Sequence, residues 1–309
     1  MIKYPLPPDQ INLPVITARR WVLLGPGRPF PTVEGACFDR DGMLLVGHRE
    51  APWSDVVRID PESGKQEIFY HDENASLIGF ACHRDGRVFC ADIHGRLLIL
   101  SPSGKPERDL LTQIPDRQFK PNDLCFDNRG NIYFSDFVGT PAHPTGGIYR
   151  FDEAENYEIL HTVADELCTP NGVSFSPSFD LLWTAESLKN DVVRIALDGK
   201  GNKLPHFSAQ LATYHNSGYP HVDSNSVDAQ GNIYQGIMEG GRAIVLNRQG
   251  IPICSVLLED RDTGLCMKTP NLAIRPGHKE GYMVACGEGG AWVYCFDALD
   301  VSAPLFAQM

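Results

Sequence analysis

The sequence is poor in what a membrane helix, a nucleic-acid surface or a disulfide framework needs. No apolar run approaches the roughly 20 residues that span a bilayer. Basic residues are outnumbered, 27 Lys+Arg against 39 Asp+Glu, and the resulting charge of −12 argues against nucleic acid or an anionic membrane as partner. The opening stretch MIKYPLPPDQ lacks the apolar core of a signal peptide. There is no C-x-x-C pair. The nine cysteines are odd in number and several sit inside apolar runs, where reduced Cys acts as a small hydrophobe. That usage predicts a reducing, cytoplasmic location. Uninterrupted helical windows are scarce as well, because 29 Gly and 23 Pro punctuate nearly every stretch. With no G-x-S-x-G, H-E-x-x-H, P-loop or Rossmann fingerprint, serine esterases, zincins and nucleotide enzymes have no anchor.

What the chain does have is repetition. An apolar stretch, a polar tight turn and a β-rich run recur from Cys37, Cys82, Cys125, Val173, Ser226 and Leu272. The turn glycines Gly42, Gly86, Gly130 and Gly231 lie 44, 44 and then 101 residues apart, the last step spanning two repeats. The string GNIY occurs at both Gly130 and Gly231. Each copy is followed by two further strand-like runs, as in VVRIDPESGKQEIF from Val56. Four short strands per repeat and six repeats predict an all-β fold, a six-bladed β-propeller with four-stranded blades around a central tunnel, over residues 1–309 as a single domain. A pair of β-sandwiches would not require six copies of one unit. The segment 1–33 precedes the first repeat, and either Trp21–Leu24 or Ala303–Phe306 is available to close the ring as the outer strand of the last blade.

In a propeller the first strand of each blade lines the tunnel, so equivalent repeat positions converge on its axis. The column eight residues before the turn glycine reads Glu34, Ile78, Asn122, Asn171, Asp223 and, with looser alignment, Asn271. Asn171-Gly172 also fits a turn dipeptide, and a strand-start Asn or Asp can simply satisfy backbone groups. Glu34-Gly35 fits that explanation badly. Two carboxylates and carboxamide oxygens without His or Cys make a hard, oxygen-only set, suited to Ca²⁺ with Mg²⁺ or Mn²⁺ as substitutes, and unsuited to Zn²⁺ or Cu²⁺.

The motifs VEG at Glu34, PND at Asn122, TPNGV at Asn171 and the spacing from Asp223 to Asp228 and Gly231 resemble the gluconolactonase/regucalcin family of six-bladed propellers. SDFVGTPAHPTGGIYRF, from Ser135, is most similar to its drug-responsive bacterial lactonases. The resemblance implies a divalent ion, usually Ca²⁺, in the tunnel, and a metal-bound Asp that helps hydrolyse a lactone. It makes Glu34, Asn171 and Asp223 direct ligands, Asn122 a ligand or substrate contact, and Asp223 the general base or nucleophile. Lys120 stands where sugar-lactone members carry Arg, and Ser224-Asn225 follows Asp223 in place of Gly-Met. With Phe119, Phe137, Tyr219 and Met238 as candidate mouth residues, an apolar lactone is expected over a polyhydroxylated one. His48, with Lys120, Asn122, Phe137 and Tyr219, is a further candidate contact; Arg49, Ser135, Asp136 and His221 lie near the same strand ends. Asp41, Asp60 and Asp85 read as turn residues, and Asp123 as an orienting or backbone-bonded one. The competing functions are a hydrolase of the same fold acting on a phosphoester or phosphofluoridate, a calcium-binding propeller without turnover, and an interaction scaffold.

Overall fold

The repeats become sheets because each carries its own turn chemistry. In the D-x-x-G turns, Asp39, Asp127 and Asp228 each accept backbone N–H groups from two and four residues ahead, at 2.8–3.0 Å. The glycine supplies the left-handed backbone that closes the turn, with φ of 85° at Gly130 and 82° at Gly231. Asp60 and Asp85 each accept the backbone N–H two residues ahead in other turns.

The computed structural model describes residues 4–25, 32–111, 113–114 and 117–309. Strand β1 (Val15–Leu24) is followed by a sheet of β2 (Thr32–Phe38), β3 (Leu44–Glu50), β4 (Trp53–Ile59) and β5 (Gln66–Asp72). The second sheet holds β6 (Leu77–Cys82), β7 (Val88–Asp92), β8 (Arg96–Leu100) and β9 (Pro106–Leu111). A short hairpin, β10 (Gln113–Ile114) and β11 (Arg117–Gln118), leads into the third: β12 (Pro121–Phe126), β13 (Ile132–Asp136), β14 (Gly146–Phe151) and β15 (Leu160–Leu167). The fourth contains β16 (Pro170–Phe175), β17 (Leu181–Glu186), β18 (Asp191–Ala196) and β19 (Gln210–His215). Then come β20 (His221–Val227), β21 (Ile233–Met238), β22 (Arg242–Leu246), β23 (Pro252–Leu258), β24 (Lys268–Ile274), β25 (Glu280–Gly287) and β26 (Gly290–Asp297).

The fold is all-β and propeller-like, but the last two repeats do not form separate sheets. They share one eight-stranded sheet in the order β20-β21-β22-β23-β1-β26-β25-β24. The cause is β1. Its first half, Val15–Ala18, pairs parallel with β23, and Arg19–Leu24 pairs antiparallel with β26. The outer strand beside β26 is therefore N-terminal and begins before Trp21. Of the N-terminal segment 1–33, residues 1–3 and 26–31 lie outside the described residues. Ser302–Phe306 adds no strand to a sheet. Ser302 bridges to Asp228, Ala303 donates to Val227 O at 2.9 Å, and Phe306 packs on His83 and Phe126.

The first strands β2, β6, β12, β16, β20 and β24 pack side by side in a closed cycle. Apolar layers fill the wedges between neighbouring sheets. Phe89 meets Phe126 edge-on at 5.0 Å, and Tyr133 meets Phe175 at 4.9 Å. Each fully buried side chain of this kind contributes about 1.5–3 kcal/mol. No helix among the described residues is long and apolar enough to cross a membrane.

Candidate functional site

Every inner strand breaks register with its neighbour at the same level. The shifts fall between Glu34 and Ala36, Leu77 and Gly79, Pro121 and Leu124, Pro170 and Val173, Val222 and Asn225, and Lys268 and Asn271. A bulge bends its strand and re-aims side chains, and here the whole ring of bulges surrounds one level of the tunnel. Asn122, Asn171 and Asp223 lie within bulges and Glu34 borders one. Close approach explains the glycines: a Cβ on Gly79 would lie 2.1 Å from Asn122 O, and one on Gly172 2.6 Å from Asn225 N. Gly172 therefore serves strand packing rather than a turn. Gln235, fully buried, pins the Asp223 bulge by donating to Asp223 O at 2.8 Å and Ser224 O at 3.1 Å.

Counting four residues back from the last paired residue of each inner strand (Phe38, Cys82, Phe126, Phe175, Val227 and Ile274) gives Glu34, Ile78, Asn122, Asn171, Asp223 and Pro270. Asn271 thus stands one residue off the column. Asn271→Ala is expected to change turnover by no more than about twofold, the scale of an independent site. Steady-state kinetics beside Asn171→Ala, which should lose far more, checks this.

Glu34, Asp123 and Asp223 form one electrostatic cluster. Burial, first, and then the charges of Glu34 and Asp123 push the Asp223 carboxyl well above the ordinary range, while its bond to Asn171 opposes the rise. Burial pushes Glu34 up to about 7, with Asp123 adding to it and Arg49 and Lys268 opposing. Asp123 is likewise raised by burial to about 7, although it accepts N–H bonds from Leu124 at 3.0 Å and Val173 at 3.3 Å. Ser224 Oγ donates to Asn171 Oδ1 at 3.3 Å. Arg49 Nη2 stands 3.8 Å from Glu34 Oε1 and Nη1 donates to Ser76 Oγ at 3.1 Å. Three carboxylates thus face two cations, Arg49 and Lys268. The remaining negative charge and the all-oxygen donors suit a hard divalent cation. The sequence offers Asp123 only as an orienting or backbone-bonded residue and Ser224 only as a departure from Gly-Met. The only signal was their place directly after two column residues.

The other expected residues divide. Lys120 is exposed, Phe137 half-buried and Tyr219 81% exposed. Phe119 is wholly buried against Phe134 and Tyr149 and is a core residue, not a mouth residue. His48 is also buried, beneath Gly25, where an added Cβ would lie 2.4 Å from its ring. Ser135 and Asp136 are buried too, accepting the N–H groups of Asp123 and Lys120.

Below the carboxylates lies a cavity of about 120 Å³. Asp123, Asn225 and Asn271 contribute to its lining, and Ser302–Ala307 closes its far side. Away from the tunnel, Asp152, Glu155 and His161 bring ligand atoms within 4.8 Å of one another. Those groups are engaged already: Arg150 binds Asp152, and His161 Nε2 lies 2.6 Å from Glu155 Oε2.

Residues 32–273 match the family profile described as SMP-30/Gluconolactonase/LRE-like region. The chain is 28% identical to a lactonase drp35 of Staphylococcus saprophyticus, over 95% of this chain and 91% of the relative. Two solved structures are similar in fold. One is regucalcin from Agrobacterium tumefaciens, described as a calcium-binding protein, with TM-score 0.74 and 15% identity over 95% of this chain and 99% of that one. The other is a gluconolactonase from Xanthomonas campestris, with TM-score 0.67 and 17% identity over 87% and 86%.

Proposed function

As the chain belongs to the SMP-30/gluconolactonase/LRE-like family, we propose that it is a metal-dependent lactonase that opens a small lactone ring to the hydroxy acid. The observation that carries this is the cluster of Glu34, Asp123 and Asp223, with Asn171, at one level of the tunnel. We count the ring as six blades in one domain, 1–309, with β1 completing the sixth while zipping it to the fifth. The nine free thiols suit a reducing cytoplasm.

Glu34, Asn171 and Asp223 would hold the ion, with Asn122 as a further ligand or substrate contact and Asp123 beside them; Ca²⁺ would fit this set, with Mg²⁺ or Mn²⁺ as substitutes. When bound, calcium polarises the lactone carbonyl and stabilises the oxyanion. Asp223 is the general base. Its carboxylate, kept ionised by a cation beside it, would be able to accept a proton. It takes a proton from water as the water oxygen bonds to the carbonyl carbon. The ring C–O bond then breaks, and the proton passes from Asp223 to the departing ring oxygen. Lys120, Asn122, Phe137 and Tyr219 contact the substrate, and His48 supports the mouth from behind.

The test is lactone hydrolysis followed by acid release, with calcium, with chelator, and after calcium is restored. Turnover should vanish on chelation and return. Saturable calcium without turnover would leave a calcium-binding propeller, and faster cleavage of a phosphoester another hydrolase. Because a Lys point charge replaces an Arg fork and Phe137 and Tyr219 flank the mouth, an alkyl- or aryl-substituted lactone should outcompete a polyhydroxylated one. Competition of both in one assay decides it, and a sugar-lactone preference would overturn the assignment.

A further inference from the structure

Three sheets end their second strand on a buried carboxylate: Asp92 on β7, Asp136 on β13 and Glu186 on β17. Each accepts a backbone N–H from just ahead of its own inner strand. Ser76 donates to Asp92 Oδ1 at 3.1 Å, Lys120 to Asp136 Oδ1 at 2.8 Å, and Cys168 to Glu186 Oε1 at 2.7 Å. Each also carries a cationic partner. For Asp92 and Glu186 it is local: Arg96 at 2.9 Å, just past the following turn, and Lys189 at 2.8 Å, within it. The third sheet is built differently. Asp136 binds Arg117, which belongs to the segment leading into β12 and also donates to Thr145 O at 2.8 Å.

One carboxylate therefore holds that lead-in segment at two points, Arg117 and the Lys120 N–H. Between them Phe119 is fixed in the core, its ring 4.7 Å from that of Tyr149, with the Arg117 guanidinium 4.8 Å above Phe119. Phe137 N–H closes the loop on Lys120 O at 2.9 Å. The backbone is clamped while the Lys120 side chain is left exposed, two positions before Asn122. A lysine is a compact charge on a flexible stem, so the reach of its ammonium is set by where the backbone is held.

We propose that Asp136 is a positioning residue for substrate recognition: by gripping Arg117 and the Lys120 N–H together, it aims the Lys120 ammonium at an oxygen of the bound lactone. This rests on the assignment of Lys120 as a substrate contact. Losing a contact made equally in the ground and transition states raises KM and leaves kcat unchanged. Asp136 never touches the reacting atoms.

A double-mutant cycle tests it, with Lys120→Ala, Asp136→Asn and the double variant assayed on a hydrolysed lactone at saturating calcium. Each single variant should raise KM about tenfold, the loss of one charge-assisted contact, with kcat within about twofold of wild type. The double variant should be no worse than Lys120→Ala, because an absent side chain needs no aiming. If the Asp136→Asn loss multiplies on top of Lys120→Ala, Asp136 is merely structural and the proposal is overturned. If Lys120→Ala leaves KM unchanged while hydrolysis persists, the positioning role falls and the lactonase assignment stands. A wild type inert toward every lactone would sink that assignment and the proposal with it. Should Asp136→Asn fail to fold by circular dichroism, Arg117→Gln takes its place in the same cycle.

Discussion

Asp223→Asn should lower lactone turnover by about 10²–10⁴-fold, the contribution of a general base, while the protein folds as wild type. The substitution nearly conserves shape and keeps an oxygen in place, but it removes both the proton acceptor and one negative charge. Gln235 holds the bulge through the backbone oxygens of residues 223 and 224, so the local geometry does not depend on the carboxylate. The variant also relieves repulsion, since Glu34 and Asp123 both raise the Asp223 carboxyl. Without metal it should therefore be at least as stable as wild type. Loss of activity together with unchanged or improved stability would separate a chemical role from a folding one. Kinetics at saturating calcium and a thermal melt in chelator check the two halves. Turnover equal to that of wild type would remove Asp223 from the mechanism.

How far the sequence revealed this site follows from how it is built. The column read at Glu34, Asn122 and Asp223 stays in register because the D-x-x-G turns fix the distance from turn to bulge, and the Ser176–Phe179 turn does the same for Asn171. In the last repeat the stretch after Ile274 carries no D-x-x-G and its glycine stands at 277, so the count has no anchor and Asn271 lies one residue off. The membership of Asp123 and Ser224 in the cluster is masked for another reason. Strand alternation sends consecutive residues to opposite faces, and a bulge suspends that rule. Phe119 precedes its inner strand and shows no periodicity, so its burial comes from tertiary packing on Tyr149 and Phe134 alone. The share of β1 in two repeats is a long-range pairing, between Val15 and Ser255 and between Leu24 and Ala291, that local pattern cannot encode.

Removing divalent metal should lower the thermal midpoint, and by more at pH 8 than at pH 5.5. Glu34 and Asp123 are raised to about 7, and Asp223 is raised with them, from unfolded values near 4. A carboxyl raised in the folded state binds more protons there than in the unfolded chain. It contributes stability that is complete below about pH 4 and is lost as pH climbs through about 7. The metal-free protein should accordingly weaken across that window as the Glu34 and Asp123 charges appear, with Arg49 and Lys268 opposing the rise at Glu34. A divalent cation acts in the opposite sense, because it binds the ionised carboxylates and must displace their protons at low pH. At a hundredfold excess over its dissociation constant, a ligand adds about 2.7 kcal/mol. For a chain of this size that is roughly 4 °C in midpoint. Calorimetry with calcium and with chelator at the two pH values isolates the metal-induced shift from the titration of histidines elsewhere. In Asp223→Asn the shift should shrink at both. Equal midpoints with and without calcium at pH 8, or a larger gain at pH 5.5, would contradict a cation held by these carboxylates.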